Sequence, residues 1–171
     1  MDTPSDMTYA LVVSRDRLQI SLILTVLNNL DVFYADVQNA YLNAPPHENY
    51  WFKAVPEFVQ YNGRIFVIVQ ALYGIASSVA SCRNELSKTM RYLGFSLCLT
   101  DPYVLMHAAT KPDGYKYWDY ILVHSYGLLV IYHLYKLVMK GFDTAYTLKP
   151  DANGKKWADP TTYLVDYIEK L

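Results

Sequence analysis

Leu18, Leu22, Ile23, Val26, Leu27 and Leu30 recur at the three-and-four spacing of an amphipathic helix, and Ser14 stands where an N-cap would. Asn28-Asn29 closes that helix. The run Val32-Phe33-Tyr34-Ala35-Asp36-Val37 is short, β-branched and aromatic, so it predicts a strand that carries Asp36 to its C-terminal end. A short helix over Asn39 to Asn43 is stopped by Pro45-Pro46. Asn62-Gly63 between Phe58-Val59-Gln60-Tyr61 and Arg64 to Val69 predicts a β-hairpin, since both turn positions of a tight hairpin want positive φ.

A second long helix is expected from Ser78 to Leu93, where Val79, Cys82, Leu86, Met90 and Leu93 share a face and Gly94 supplies a left-handed stop. Pro112-Asp113-Gly114 joins a strand over Tyr103 to Ala108 to one over Tyr115 to Val123, and Leu128 to Tyr132 returns antiparallel to the latter. Asp151 to Lys156 is a polar loop, and a shorter strand or helix runs from Tyr163 to Leu171. The fold class is α+β.

Tyr120 to Met139 approaches the length of a membrane span with Lys136 as its one formal charge. His124, Ser125, Tyr126 and Gly127 place a polar break where a bilayer would make it costly. Two buried strands around a turn, with Gly127 at positive φ, are therefore preferred to a helix spanning 120–139.

At 171 residues the chain is read as a single unit, and 53% apolar with 18% charged residues excludes disorder and collagen-like repeats. Lys and Arg number 15 against 16 Asp and Glu, so no global positive field points to nucleic acid and any such binding has to be local. The local candidate is C-terminal, where Lys136, Lys140, Lys149, Lys155 and Lys156 are interleaved with tyrosines that could stack bases. Core and surface tyrosines beside solvated lysines are the plainer explanation. Cys82 and Cys98 make neither a disulfide framework nor a metal-ligand pair and are expected to be buried thiols. Met1 to Asp6 lacks the basic-then-apolar order of a signal peptide, so an intracellular, non-secreted protein is expected.

The run from Asp31 to Pro45, with Asp36-Val37 at its centre and Ala40-Tyr41-Leu42 after it, resembles the first palm motif of reverse transcriptases of the Ty1/copia retrotransposon type. Ala71-Leu72-Tyr73-Gly74, Leu93-Gly94-Phe95, Asp101-Pro102, Tyr120-Ile121-Leu122-Val123 and Thr162-Tyr163-Leu164 follow in the family's order across nearly the whole chain. The resemblance implies a palm with part of the fingers, in which two long helices back an antiparallel sheet, and an RNA-directed DNA polymerase acting on an RNA or DNA primer–template. It implies two Mg²⁺ ions held by three carboxylates, one activating the primer hydroxyl and one neutralising the triphosphate. Asp36 matches the first carboxylate. Val37 would lend its carbonyl to a metal, Tyr41 matches the aromatic gate against a ribose 2′-hydroxyl, and Gly74 belongs with them to the nucleotide-binding set.

The departures fall on the chemistry. Where the family carries Tyr-Val-Asp-Asp in a tight turn, this chain has His124-Ser125-Tyr126-Gly127, so Tyr126 and Gly127 occupy the two lost carboxylate positions. A phenol with pKa near ~10 and a glycine cannot replace hard carboxylate ligands at neutral pH. Asp119 is seven residues before Tyr126, roughly 23 Å along a strand, and Asp31 is five before Asp36, roughly 16 Å away and on the opposite face, so neither substitutes. Ile75-Ala76-Ser77-Ser78-Val79 and Cys82 replace the family's Leu-Lys-Gln-Ser-Pro pattern and tryptophan, and Val165 replaces a late glycine. The basic fingers strands, the thumb and the RNase H domain have no counterpart in residues 1–171.

The expectation is thus a Ty1/copia-type reverse transcriptase domain that is catalytically inactive, a pseudoenzyme holding Mg²⁺ weakly or unproductively through Asp36 alone. Other retrotransposon polyprotein segments are its expected partners, with no membrane. A non-catalytic nucleic-acid-binding or structural module is the first alternative, and a membrane protein with a span at 120–139 the second.

Overall fold

The structure, a computed structural model, describes residues 13–75, 77–124, 127–133, 136–158, 160, 162–163 and 166–167. The expectations that rest on Ala76, Ser125, Tyr126, Val165, the first residues of the chain and its last four lie outside the described residues. In chain order the elements begin with α1 (Arg15–Asn28), β1 (Asp31–Val37), β2 (Tyr50–Lys53), β3 (Ile65–Ile68) and α2 (Ser78–Tyr92). They continue with β4 (Ser96–Leu97), β5 (Val104–Thr110), β6 (Lys116–His124), β7 (Gly127–Tyr132), α3 (Lys136–Ala145), β8 (Leu148–Lys149), β9 (Thr162–Tyr163) and β10 (Asp166–Tyr167). Short 3₁₀ turns cover Ala40–Asn43 and Pro56–Tyr61. The fold is mixed α+β with an antiparallel sheet, and the described residues form two compact units, 39–86 and 13–38 with 87–167.

The larger unit is built on a six-stranded sheet in the order β4-β5-β6-β7-β1-β8, every pair antiparallel. α1 starts at Ser14, whose side chain accepts from the Arg17 amide at 3.4 Å, and ends at Asn29, left-handed at φ 49° with its N–H on the Thr25 and Val26 carbonyls. The buried face of α1 shares Leu18, Leu22 and Leu30 with the expected stripe and departs from it elsewhere. Leu18, Ser21 and Thr25 are buried, whereas Ile23, Val26 and Leu27 are 59%, 78% and 75% exposed. Thr25 satisfies its own hydroxyl on the Ser21 carbonyl at 2.7 Å. The stripe thus places Leu18, Leu22 and Leu30 in or against the core as expected and misses the two small hydroxyl residues beside them.

The segment 120–139 is not a membrane helix. β6 and β7 pair from Tyr120↔Ile131 to His124↔Gly127, leaving two residues for the turn, and every residue of β7 is buried. No helix among the described residues is long and apolar enough to cross a membrane. The β5–β6 hairpin also forms as expected, with Gly114 at φ 86° donating its amide to the Lys111 carbonyl at 2.9 Å. α2 stops at Gly94, φ 89°, where the Phe95 amide reaches the Met90 carbonyl at 2.9 Å. α3 and β8 were not expected. Val138 and Phe142 bury one side of α3, and the Phe142 ring meets Trp157 edge-on at 5.9 Å.

In the smaller unit the expected hairpin is corrected. β3 pairs with β2 from Tyr50↔Ile68 to Lys53↔Ile65, while Phe58 to Tyr61 lies in a 3₁₀ turn opened by Pro56. Of the two turn residues Gly63 alone has positive φ, 79°; Asn62 at φ −50°, ψ 130° makes a type II turn closed by the Arg64 amide on the Tyr61 carbonyl at 2.9 Å. The Phe52 and Phe66 rings stack at 5.5 Å on one face of this two-stranded sheet, and Trp51, Ile65 and Val67 stay exposed on the other. Cys82 is buried and its thiol pushed up to about 11 by burial; Cys98 is only half-buried, which corrects its assignment as a core thiol.

Candidate functional site

β1 lies between β7 and β8, and its register fixes the surroundings of Asp36. Across β7 its partner is Gly127, and across β8 its partner is Lys149. Strand alternation puts Asp36 and Tyr34 on one face, while Ala35 and Val37 are buried on the other. Val37 pairs with Leu148. Asp31, at the far end of the ladder, pairs with Tyr132, so it is held away from Asp36 as expected.

Gly127 is extended within β7, not at positive φ, so its glycine answers a different need. A Cβ built there would stand 2.7 Å from the Tyr34 hydroxyl and 2.8 Å from its Cε2. The phenol ring occupies the space that any side chain at position 127 would enter. Burial, and then the Asp36 charge, raise the Tyr34 hydroxyl above its ordinary pKa. His124, the other residue facing Gly127 across the hairpin, is pushed down by burial and favours the neutral imidazole.

Mg²⁺ is a poor fit to these residues. It wants several hard oxygens in near-octahedral array, yet the position opposite Asp36 has no side chain, and among the described residues no three His, Cys, Asp or Glu come together to hold a metal. Tyr126 lies outside the described residues. Tyr41 and Gly74 belong to the smaller unit, where Tyr41 meets Tyr73 edge-on with ring centroids 4.5 Å apart. Gly74 has φ 89° and open space where a Cβ would stand, so glycine serves the backbone angle there and not a close approach.

Two features escaped the sequence. One is a cleft of about 160 Å³ beside Asp36, lined by Tyr34, Lys149, Asp151, Lys155 and Lys156 among others. The other is Asp119, fully buried on β6 and excluded from metal binding by its spacing. Its Oδ2 is 3.4 Å from His107 Nδ1 on β5, and its Oδ1 accepts from the His133 amide at 3.3 Å. Burial raises this carboxyl above the usual carboxylate range, against the hydrogen bonds from His107 and His133 that lower it.

The sign of the pH effect follows. As pH climbs through the carboxylate range the unfolded chain releases this proton first, so the folded chain holds more protons and loses stability until its own, higher pKa is passed. Asp119→Asn removes that loss while keeping an acceptor for His133 and a donor for His107. The variant is expected to gain on the order of 1 kcal/mol above neutral pH, with the gain fading toward pH 4. Thermal melting across pH tests this; a variant less stable than the parent at pH 8 would show that the ionised carboxylate is instead stabilised by its partners.

No family model, no curated protein and no solved structure matches this chain.

Proposed function

We infer that this chain is a degenerate reverse-transcriptase palm of the Ty1/copia type that no longer polymerises. The observation that carries this is the register: Asp36, the residue that resembles the family's first metal carboxylate, is the direct cross-strand partner of Gly127, the residue standing in a lost carboxylate position. Two residues far apart in sequence were matched to one site by motif order alone, and their pairing supports that match. The ordered helices α1 and α2 and the β6–β7 hairpin fit the same architecture.

The chemistry left to the chain is binding. Without paired carboxylates it cannot place two ions for an in-line displacement, so the protein acts as a non-catalytic nucleic-acid-binding or structural module. Its partners are a primer–template duplex and other retrotransposon polyprotein segments inside the cell. Binding of an RNA–DNA duplex is expected to be weak and salt-dependent. With Lys149, Lys155 and Lys156 meeting phosphates, the log–log slope against salt should be about −2 to −3. Fluorescence anisotropy in rising salt measures it. Absence of binding at low salt would leave the structural role alone.

A further inference from the structure

We propose that the groove between α2 and α3 binds an aliphatic carboxylate, an anion with an unbranched hydrocarbon body and a single charged head. This goes beyond the palm reading and uses no residue of the Asp36 cleft. The groove lies wholly in the larger unit and holds about 590 Å³, inside the range of roughly 300–1,000 Å³ that small-molecule sites occupy. One wall is the end of α2 with Leu93, and the other is the end of α3. Two contacts pin the walls together. Glycine at 141 leaves room for the Leu93 side chain, which a Cβ there would strike, and the Thr89 and Tyr146 hydroxyls meet at 2.9 Å.

The trough between the walls is apolar because its threonine hydroxyls are engaged within the protein. Thr144 donates to the Lys140 carbonyl at 2.8 Å, and Thr89 is turned to Tyr146. Leu93, Gly141 and Ala145 bring no side-chain polar atom, and Tyr92 lines the trough while its ring stays 91% exposed. The charged lining residues are Lys88 on one wall and Lys140 on the other, with no carboxylate among them. Asp143, the one acid of α3, lies 3.9 Å from Lys156, and Glu85, the one acid of α2, is not part of the lining. A lysine lays its stem along apolar surface and keeps its ammonium in water. A hydrocarbon floor with an ammonium on each rim therefore complements a hydrocarbon body with a carboxylate head, whose two oxygens can meet one ammonium from each wall. The walls are too short for a partner helix. From 140 to 145 α3 advances about 7.5 Å, whereas a helix docked through anchors i to i+7 covers about 10.5 Å.

The test separates body from head. Hexanoate, octanoate and decanoate are titrated into the full chain below their micelle concentrations, with binding read by calorimetry and by amide shifts. Affinity should rise about two- to fourfold for each added CH₂, and the shifts should fall on 88–93 and 140–145. Lys140→Met keeps the apolar stem and removes the charge, so it should weaken decanoate about two- to fivefold and leave decanol unchanged. Ala145→Phe, at an exposed position, should fill the trough and abolish binding of both. An affinity indifferent to chain length, or one that survives Ala145→Phe, overturns the proposal, because the anion is then held by surface charge alone. Equal weakening of decanol by Lys140→Met overturns it as well, since the head is then not read. A dimer in sedimentation that Ala145→Phe breaks would give the groove to a second copy and remove the ligand. Absence of decanoate binding ends the proposal and leaves the palm reading standing, because that rests on the Asp36–Gly127 pairing.

Discussion

Primer extension by this chain, with Mg²⁺ or Mn²⁺ supplied, is expected to stay at the protein-free background. Phosphoryl transfer of this kind needs two ions about 3.5–4 Å apart, one on the attacking oxygen and one on the leaving group. Asp36 is one carboxylate; Gly127 opposite it brings no side-chain oxygen, and Lys149 on its other flank brings a positive charge that opposes a cation. Positioning and electrostatic stabilisation of the triphosphate supply most of the rate, and without the ions neither is built. Incorporation well above background that disappears in Asp36→Ala would show that partners outside the described residues complete a working site.

The second large effect concerns the packing of Tyr34 on Gly127. Because a Cβ at position 127 would stand 2.7 Å from the phenol oxygen, Gly127→Ala forces the ring aside. Overpacking of this kind costs about 1–3 kcal/mol, or about 2–10 °C of melting temperature in a chain of this size. Tyr34→Ala destabilises on its own by removing a ring that packs against the sheet core. In the Tyr34→Ala background, however, Gly127→Ala should cost almost nothing, a coupling that a double-mutant cycle reads directly. Equal costs of Gly127→Ala in both backgrounds would mean that the ring does not own that space. By the same clash an aspartate placed at 127 meets the Tyr34 ring first and Asp36 second.

How far the sequence spoke for the structure differs from element to element. Ser14 and Asn29 bracket α1 because caps are local chemistry, but its buried face depends on which side the sheet takes, and Ser21 and Thr25 carry no hydropathic signal. The polar break at His124 to Gly127 located the β6–β7 turn, since neither a bilayer nor a strand interior tolerates it. Asn62-Gly63 misled because a hairpin signature names a turn and not the partner strand; Pro56 had already drawn the preceding residues into a 3₁₀ turn, leaving β2 to pair with β3. α3 begins at the end of the segment weighed as span or strand and runs on through residues that had been given no element. The strand that carries Asp36 was legible from its β-branched and aromatic run, whereas its pairing with Gly127 appears only in the β1–β7 register. The lysine cleft was not legible either, because Asp36 and Lys149 meet only through the β1–β8 register. Asp119 was set aside as a ligand on spacing, which says nothing of the imidazole that the β5–β6 pairing places opposite it.

The measurement that bears most directly on whether Asp36 and the turn are the remains of one metal site is Mn²⁺ binding, read by the paramagnetic resonance of the free ion. The chain to use carries Ser125→Val, Tyr126→Asp and Gly127→Asp, with Tyr34→Ala to clear the space. Clustered carboxylates repel one another until a cation joins them. The repaired chain should therefore melt lower than its Tyr34→Ala parent without metal, take up Mn²⁺, and recover stability as it does so. Adding Asp36→Ala should abolish that uptake, and the unrepaired chain should show none. A folded repaired chain that takes up no Mn²⁺, or one whose uptake survives Asp36→Ala, would contradict the palm reading.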